Sequence, residues 1–318
     1  MKEMIFLNPV FTHNIWGGNR LKELFHYPIE GNDIGECWGI AAHPNGDCTI
    51  REGSFAGKKL SELWKDEPQL FGNIEKDRFP LLIKIIDAKE DLSIQVHPDD
   101  AYAKINEEGS LGKTECWYII DCSKKASLII GHQAKDKAEL KEMISSGNWK
   151  ELIREIPVKK GDFIQIDPGT VHAIKGGIMV LETQQNSDIT YRVYDYDRLT
   201  DGKPRELHIE KSMDVITVPA KPVEELVLDT RNLEKNTLSL LYSCEYYQVF
   251  ELNLDKTILF EQIYPFFNIS VLEGEGVLNG KKIKKGDHFI LPSGFGKVEV
   301  QGKLKAICST IGDSSNFL

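Results

Sequence analysis

Short runs of apolar, β-branched and aromatic residues recur along the chain and predict strands. The clearest runs are Leu81–Ile86, Cys116–Ile120, Ser127–Ile130, Phe163–Ile166, Met179–Glu182 and Tyr191–Tyr194. Glycine, proline and aspartate separate these runs at loop-like intervals, as at residues 167–169 and 175–177. A succession of short strands joined by such turns predicts an antiparallel barrel or sandwich.

One segment has a helical period instead. From Asp136 to Ile156 the apolar residues recur mostly at three- and four-residue steps, which predicts a helical insertion at about residues 136–156. Shorter helices are predicted at residues 59–70 and 99–108, the second opened by a Pro-Asp-Asp cap signal.

One part of the strand pattern occurs twice. Residues 159–169 read KKGDFIQIDPG and residues 284–294 read KKGDHFILPSG, each a turn, a strand and a second turn. Two copies this far apart indicate duplicated barrels rather than a solenoid, because solenoid repeats are short and contiguous. His172 follows the first copy by three residues, whereas Lys297 stands at that place after the second. We therefore predict a catalytic barrel with a helical insertion over residues 1–234 and a barrel without metal ligands over residues 235–318.

Composition narrows the function class. The chain has 318 residues, 41% of them hydrophobic, and a formal net charge of −10 at pH 7. This charge argues against a nucleic-acid partner, and no basic run resembles a membrane-binding patch. The sequence shows neither a secretory signal nor a long apolar run, which predicts a cytoplasmic protein. The six cysteines form no Cys-x-x-Cys pair and therefore predict neither a disulfide framework nor a thiolate zinc site.

Three strand-like segments carry donors that could converge on one divalent metal ion. Residues 95–97, 113–115 and 168–172 offer Gln95, His97, Glu115 and His172. Ser93, Gln95 and His97 alternate with two aliphatic residues, so a strand would place the three polar side chains on one face. Imidazole nitrogens with carboxylate and amide oxygens suit zinc and also accept manganese, iron or cobalt. The donor types alone leave the metal open.

These segments also give the chain a family resemblance. The motifs are SIQVHPD at 93–99, KTE at 113–115, PGTVH at 168–172 and YRVYDY at 191–196, with IWGG at 15–18. Together they resemble type I mannose-6-phosphate isomerase, a family of zinc-dependent cupin enzymes, over roughly residues 5–200. The resemblance implies a mainly β fold of two cupin-type jelly-roll barrels with a small helical insertion, as in the short bacterial form. It also implies one Zn²⁺ per chain and the interconversion of mannose 6-phosphate and fructose 6-phosphate.

The resemblance implies a role for individual residues as well. The zinc ligands would be Gln95, His97, Glu115 and His172, and the residues of the reaction would be Arg192 as catalytic arginine, Lys113 as active-site lysine, Glu182 as an acidic active-site residue and Ser93 as a substrate-lining serine. The chain lacks most of the helical insert found in larger members of the family. That difference affects the walls of the substrate pocket and not the metal cluster.

The chemistry of the reaction indicates which residue suits which role. Moving a carbonyl between C1 and C2 of a sugar passes through an enediol-like state with negative charge on oxygen. Arg192 is permanently charged, so it suits stabilisation of that charge rather than proton transfer. Proton transfer needs a group that titrates nearer neutral pH, and Glu182, Lys113 or a metal-bound water could serve; we favour Glu182 as the base.

Two expectations concern the segment around Arg192. Strict alternation with Tyr191 and Val193 would turn Thr190, Arg192 and Tyr194 inward together. The charged residues that follow could meet a substrate phosphate, although solvated loop charges explain them equally well; they are Arg198, Lys203 and Arg205. The sequence does not locate the phosphate site.

Two other functions fit the same donors. A metal-dependent cupin dioxygenase also uses two histidines and a carboxylate, there to hold ferrous iron. A sugar-phosphate-binding cupin with a structural metal and no turnover is the other alternative. In each case the partner is a small molecule, with no nucleic acid and no membrane, and the sequence leaves the oligomeric state open.

Overall fold

The structure is a computed structural model that describes residues 2–200 and 202–312. The strands are β1 Ile5–Asn8, β2 Val10–Gly18, β3 Ile34–Ile40, β4 Ala42–His43, β5 Gly46–Asp47, β6 Thr49–Ile50, β7 Leu81–Asp87, β8 Ile94–Val96, β9 Glu115–Asp121, β10 Ser127–His132, β11 Ile153–Pro157, β12 Asp162–Ile166, β13 His172–Ala173, β14 Met179–Gln185, β15 Tyr191–Tyr194, β16 Leu199–Thr200, β17 Lys203–Pro204, β18 Val227–Asp229, β19 Thr237–Ser243, β20 Tyr247–Leu254, β21 Thr257–Gln262, β22 Phe266–Leu278, β23 Lys281–Lys284, β24 His288–Pro292 and β25 Gly296–Ile311. The helices are α1 Arg20–Phe25, α2 Leu60–Asp66, α3 Asp100–Asn106, α4 Lys137–Ser145, α5 Trp149–Leu152 and α6 Ile209–Val215, with 3₁₀ turns at Pro68–Phe71 and Val223–Glu225. None of the helices described is long and apolar enough to cross a membrane.

All six strand runs predicted from the sequence are strands, namely β7, β9, β10, β12, β14 and β15. The helix predicted at residues 99–108 is α3, and the Asp99 side chain caps it by accepting the N–H of Tyr102. The segment at 136–156 is helical only as far as Leu152. Its last residues form β11 and pair with β10, which gives the backbone at that sheet edge its hydrogen-bond partners.

Two antiparallel sheets build the half of the fold that contains the predicted metal ligands. One has seven strands in the order β18-β12-β9-β14-β7-β3-β2, and the other has five in the order β11-β10-β13-β8-β15. Their inner faces share an apolar cluster that includes Trp117, Ile130 and Ile164. Residues of α4, α5 and α6 pack on the outer face of the five-stranded sheet, against Ile94 and Val96. The alternation predicted for β8 is therefore confirmed, since its aliphatic side chains face the helices.

A third, nine-stranded sheet contains the C-terminal strands. Its main order is β19-β20-β25-β22-β24-β1-β6, with β21 and β23 paired at its side. The first strand of the chain belongs to this sheet, because Ile5 pairs with Ile290. The domain limits of 1–234 and 235–318 stay a prediction, and the pairing of β1 with β24 shows that residues 5–8 pack with the C-terminal strands.

The C-terminal sheet supports the seven-stranded sheet from behind. Its own interior is filled by an apolar cluster that includes Phe250, Phe267 and Phe289. Tyr118 of β9 packs in a second cluster together with residues of the C-terminal sheet, among them Tyr247. Buried aromatic contacts of this kind fix the strands on which they lie. Strand β9, which begins at Glu115, is thus held from both of its faces.

Candidate metal centre

The structure brings His97, Glu115 and His172 together between the two facing sheets. One donor atom from each residue lies within 4.8 Å of the others, and the three residues are 1%, 0% and 0% exposed. Glu115 Oε2 is 3.4 Å from His97 Nε2, and Glu115 Oε1 is 3.3 Å from His172 Nε2. Three of the four predicted metal ligands therefore meet at one point.

Strand register places the fourth predicted ligand on the same face. Gln95 is the pairing partner of His172 on one side and of Arg192 on the other. Residues directly opposite each other in antiparallel strands point their side chains to the same face of the sheet. Gln95 and Arg192 therefore face the same way as His172. Ser93 is also buried and lies two residues before Gln95. The roles of Gln95 and Ser93 stay predictions.

The unpaired atoms of this cluster fit a metal ion. Glu115 Oε1 and His172 Nε2 are buried without a hydrogen-bond partner among the residues described, whereas Glu115 Oε2 forms an ion pair with Lys113. Such buried polar atoms are costly unless something satisfies them. His172 Nδ1 lies 2.8 Å from the carbonyl oxygen of Thr170, which accepts its proton and leaves the Nε2 lone pair directed at the cluster. This is the usual orientation of a metal-binding histidine.

Electrostatics hold the three residues in the protonation states that bind metal. Burial, with Lys113 adding to it, lowers the pKa of His97 to about 3, and burial lowers the pKa of His172 as well. Burial opposes ionisation of Glu115, but Lys113 and His97 outweigh it and hold the pKa of that carboxyl well below its usual range. Neutral imidazoles and an ionised carboxylate are the forms that a divalent cation requires.

Lys113 itself is buried beside the cluster. Its Nζ is 3.0 Å from Glu115 Oε2 and 3.2 Å from His97 Nε2. Three consecutive backbone N–H groups hold the chain here. Gly112 donates to the Asp100 side chain at 2.7 Å and Lys113 to the Pro98 carbonyl oxygen at 3.0 Å. Thr114 donates to the Gln185 side chain at 2.8 Å. These contacts hold the backbone at Lys113, and its ammonium group is held by Glu115 and His97; its active-site role stays a prediction.

Glu182 lies on the same inner face, in a buried group that includes a residue the sequence reasoning missed. Lys84 Nζ is 3.1 Å from Glu182 Oε1 and 2.9 Å from Glu36 Oε1. Trp117 Nε1 donates to Glu182 Oε2 at 2.8 Å. A signal for Lys84 was present in the sequence, because it is the one charged residue inside the apolar run Leu81–Ile86.

The charges in this group act on one another. Burial, and the charge of Glu115 after it, raises the pKa of Glu182, while Lys84 and Lys113 oppose that rise. Burial disfavours the charged form of Lys84, yet Glu182 and Glu36 outweigh it and raise the pKa of that ammonium. Glu182 is thus a carboxyl that titrates closer to neutral pH than an ordinary glutamate, which suits a general base.

A β-bulge corrects one expectation about β15. Arg192 pairs with Gln95, but Tyr194 rather than Val193 pairs with Ile94. The extra residue reverses the side on which Tyr194 emerges. Its ring stacks on Trp149 at 4.4 Å in the outer cluster. The prediction that Thr190, Arg192 and Tyr194 all face inward is therefore wrong for Tyr194.

The charged residues after β15 are largely engaged with one another. Asp195 is buried, and it accepts from Arg198 Nη2 at 2.6 Å and from Arg205 Nε at 2.7 Å. Lys203 lies exposed in the β16–β17 hairpin. Arg198 and Arg205 both form ion pairs with Asp195 and so hold the loop to it, and their role towards a phosphate stays a prediction.

The chain matches known proteins over most of its length. Residues 4–119 match the family model of the phosphomannose isomerase type I catalytic domain, and residues 236–311 match that of the mannose-6-phosphate isomerase cupin domain. The chain is 50% identical to mannose-6-phosphate isomerase ManA of Bacillus subtilis over 96% of its own length and 98% of the relative's. It is 45% identical to mannose-6-phosphate isomerase of Streptococcus mutans, covering 97% and 98% of the two chains.

Solved structures agree with these matches. The crystal structure of mannose 6-phosphate isomerase from Bacillus subtilis superposes with a TM-score of 0.90 at 46% identity, covering 98% of this chain and 100% of that one. A putative mannosephosphate isomerase from Archaeoglobus fulgidus, at 20% identity and a TM-score of 0.79, shows the shared fold. The predicted mainly β, cupin-type fold is confirmed, and the chain belongs to the type I phosphomannose isomerase family.

Proposed function

We propose that this protein is a zinc-dependent aldose–ketose isomerase that interconverts mannose 6-phosphate and fructose 6-phosphate through an enediol-like intermediate. The observation that carries the proposal is the buried cluster of His97, Glu115 and His172, in which Glu115 Oε1 and His172 Nε2 have no hydrogen-bond partner among the described residues. Lys113 is in contact with it, and Arg192 shares its face. Curated relatives that are 45–50% identical over nearly the whole chain are named mannose-6-phosphate isomerases.

We assign the metal to His97, Glu115 and His172, with the amide oxygen of Gln95 as the fourth donor. Zinc accepts two nitrogen and two oxygen donors, and it is the metal that the family resemblance implies. A zinc ion with an open position supplies a Lewis acid for one sugar oxygen. The Thr170 carbonyl keeps His172 in the tautomer that this requires.

Arg192 is assigned the stabilisation of negative charge on the substrate oxygen. Its Nε is buried without a hydrogen-bond partner in the described part of the chain, while its Nη1 donates to the Glu206 carbonyl at 2.8 Å. One N–H of the guanidinium is thus bound to the protein, and we assign the unpaired Nε–H to the substrate. Lys113 adds a second positive charge beside the cluster, and Ser93 is assigned to the substrate wall.

Glu182 is assigned the proton transfer between C1 and C2. Trp117 Nε1 holds one of its carboxylate oxygens and leaves the other beside Lys84. The raised pKa gives this carboxylate more affinity for a substrate proton than an exposed glutamate would have. The side chain can therefore take a proton from one carbon and return it to the other.

The two other functions are not favoured. The dioxygenase is less well supported because the curated relatives that span the chain are named isomerases. A binding module without turnover would leave the buried Glu182–Lys84 pair without a role. The proposed substrate is a small charged sugar phosphate, and we place its conversion in the cytoplasm.

A coupled assay on mannose 6-phosphate tests the function, with zinc content and oxygen uptake measured on the same samples. Activity is expected to rise in proportion to bound zinc, to fall with chelation and to return when zinc is added. No oxygen should be consumed, because isomerisation is redox-neutral overall. Full activity in metal-free protein would rule out the proposed mechanism, and oxygen consumption would favour the dioxygenase.

Lys84→Met is expected to shift the acid limb of kcat/KM to higher pH. The ammonium of Lys84 opposes the rise in the pKa of Glu182, so without it burial and Glu115 raise that pKa further. Glu182 then stays protonated up to a higher pH, and a protonated carboxyl cannot act as the base. The variant should also be less stable by about 3–5 kcal/mol, because buried carboxylates lose their partner.

The control for this variant is Lys175→Met, which breaks a partly exposed pair with Glu155. Its free energy of unfolding should change by about 0–1 kcal/mol. The acid limb of its pH profile should match that of the unmodified protein. An unshifted acid limb in Lys84→Met would show that Lys84 does not act on the catalytic base.

A further inference from the structure

Arg192 is held at three points by the tripeptide 206–208. The carbonyl oxygen of Glu206 accepts from Arg192 Nη1 at 2.8 Å. His208 Nδ1 accepts the backbone N–H of Arg192 at 3.1 Å. The backbone N–H of His208 donates to the carbonyl oxygen of Arg192 at 2.8 Å. One short segment therefore fixes the guanidinium and both backbone polar groups of the same residue.

We call residues 206–208, with their three contacts to Arg192, the clamp. The position of β15 explains why Arg192 needs it. β15 is the last strand of the five-stranded sheet and pairs on its inner side with β8. The outward N–H and C=O of Arg192 consequently lack a strand partner, and His208 supplies both partners. A β-bulge follows directly, which leaves the strand irregular on the C-terminal side of Arg192. The place of Arg192 thus depends on contacts from outside the sheet.

His208 is itself firmly placed. It stands immediately before α6, and its carbonyl oxygen accepts from both the backbone N–H and the hydroxyl of Ser212. On the other side of the tripeptide, Arg205 bonds Asp195 at the end of β15. The segment is therefore anchored at both of its ends.

The clamp requires neutral His208, because Nδ1 can accept the Arg192 N–H only when its own proton is absent. The charged groups that face the ring are Arg192 on β15, Glu206 on the clamp, Lys211 on α6 and Glu107 after α3. Burial, and then the charge of Arg192, lowers the pKa of His208. The accepting form is thus the one favoured near neutral pH.

We infer that His208 is a positioning residue that fixes Arg192 for charge stabilisation in the isomerisation, an inference that rests on the proposed function. In the described part of the chain its ring contacts the Arg192 N–H and the ring of Tyr191, and no contact joins it to the metal cluster. Its effect passes through the backbone and orientation of Arg192. A small displacement of a catalytic group is enough to slow turnover strongly.

Substitution of His208 gives the first part of the test. His208→Ala is expected to lower kcat about 10- to 100-fold, with a much smaller change in KM and with zinc content unchanged. His208→Asn should retain activity within about threefold, because the Asn amide oxygen can replace Nδ1 as acceptor. The control is Leu207→Ala. Leu207 is 43% exposed and its side chain makes none of the three contacts with Arg192, so this variant should behave like the unmodified protein. Equal losses in the Ala and Asn variants would contradict the inference.

A double-mutant cycle with Arg192→Ala separates positioning from a general structural effect. If His208 acts through Arg192, adding His208→Ala to Arg192→Ala should lower the residual kcat no further. If the two losses multiply, His208 acts independently of Arg192 and the inference is overturned. Melting temperatures of all variants accompany the cycle, so that partial unfolding is recognised.

A third measurement does not depend on turnover. Amide hydrogen exchange at Arg192 should be slow in the unmodified protein, fast in His208→Ala and slow again in His208→Asn. Unprotected exchange in the unmodified protein would overturn the clamp itself. Protein that shows the protected amide but fails to isomerise mannose 6-phosphate would overturn the proposed function, and with it the catalytic role of the clamp.

Discussion

His172→Ala is expected to lose its bound metal and to lower kcat by about a thousandfold or more, since a Lewis acid supplies several kcal/mol of charge stabilisation. His172 contributes a buried nitrogen lone pair 3.3 Å from Glu115, directed there by the Thr170 carbonyl. Removing it leaves two of the three clustered donors and a cavity that water can enter. The measurements are metal content per chain and kcat with mannose 6-phosphate, with and without added zinc.

The matched control is His132→Ala. His132 is also buried, lies on β10 next to β13, and bonds the carbonyl oxygen of Thr217 through Nε2. The truncation is identical, but the side chain is outside the cluster, so the variant should keep its metal and most of its activity. Metal-replete and fully active His172→Ala would refute the assignment of the metal site.

The parts of the site that the sequence predicted follow from local alternation. In β8 the side chains of Ile94 and Val96 alternate with polar ones, and a period of two residues fixes which of them share a face. The same rule separates Cys116, which packs in the apolar cluster behind the sheet, from Glu115 at the metal centre. Residues next to one another in sequence need no knowledge of the fold to be sorted in this way.

The parts that the sequence did not predict depend on register between distant strands. Lys84 meets Glu182 because β7 and β14 pair with these two residues opposite each other, and no local pattern specifies that register. The β-bulge adds one residue between Arg192 and Tyr194 relative to β8, so the two side chains lie on opposite faces of the sheet. Alternation in the sequence does not reveal such a bulge. The contact between His208 and Arg192 likewise joins residues that lie before and after the β16–β17 hairpin.

The N-terminal strand illustrates the same limit at the level of domains. Residues 5–8 have an ordinary apolar pattern, and nothing in it indicates a partner almost 300 residues away. Their pairing with β24 supplies hydrogen-bond partners to backbone groups of that strand, and these groups are contributed by a distant part of the chain. Tertiary pairing therefore decides where this strand belongs.

Glu182→Gln is expected to lower kcat by about 10²- to 10⁴-fold with zinc content unchanged, because the amide has nearly the same shape but cannot take up the substrate proton. The Trp117 hydrogen bond can persist with the amide oxygen, and Lys84 keeps its contact with Glu36. The readouts are kcat and the rate at which label from deuterated water enters C1 or C2. Both should fall together if Glu182 carries the proton.

Glu36→Gln separates this role from charge balance around Lys84. Glu36 and Glu182 both contact the Lys84 ammonium, at 2.9 and 3.1 Å, so either substitution removes one negative charge beside it. A base is lost only in Glu182→Gln, so Glu36→Gln should retain kcat within about tenfold and exchange label at a comparable rate. Equal losses in the two variants would mean that the carboxylates serve to hold Lys84, and that the proton is carried by another group such as Lys113.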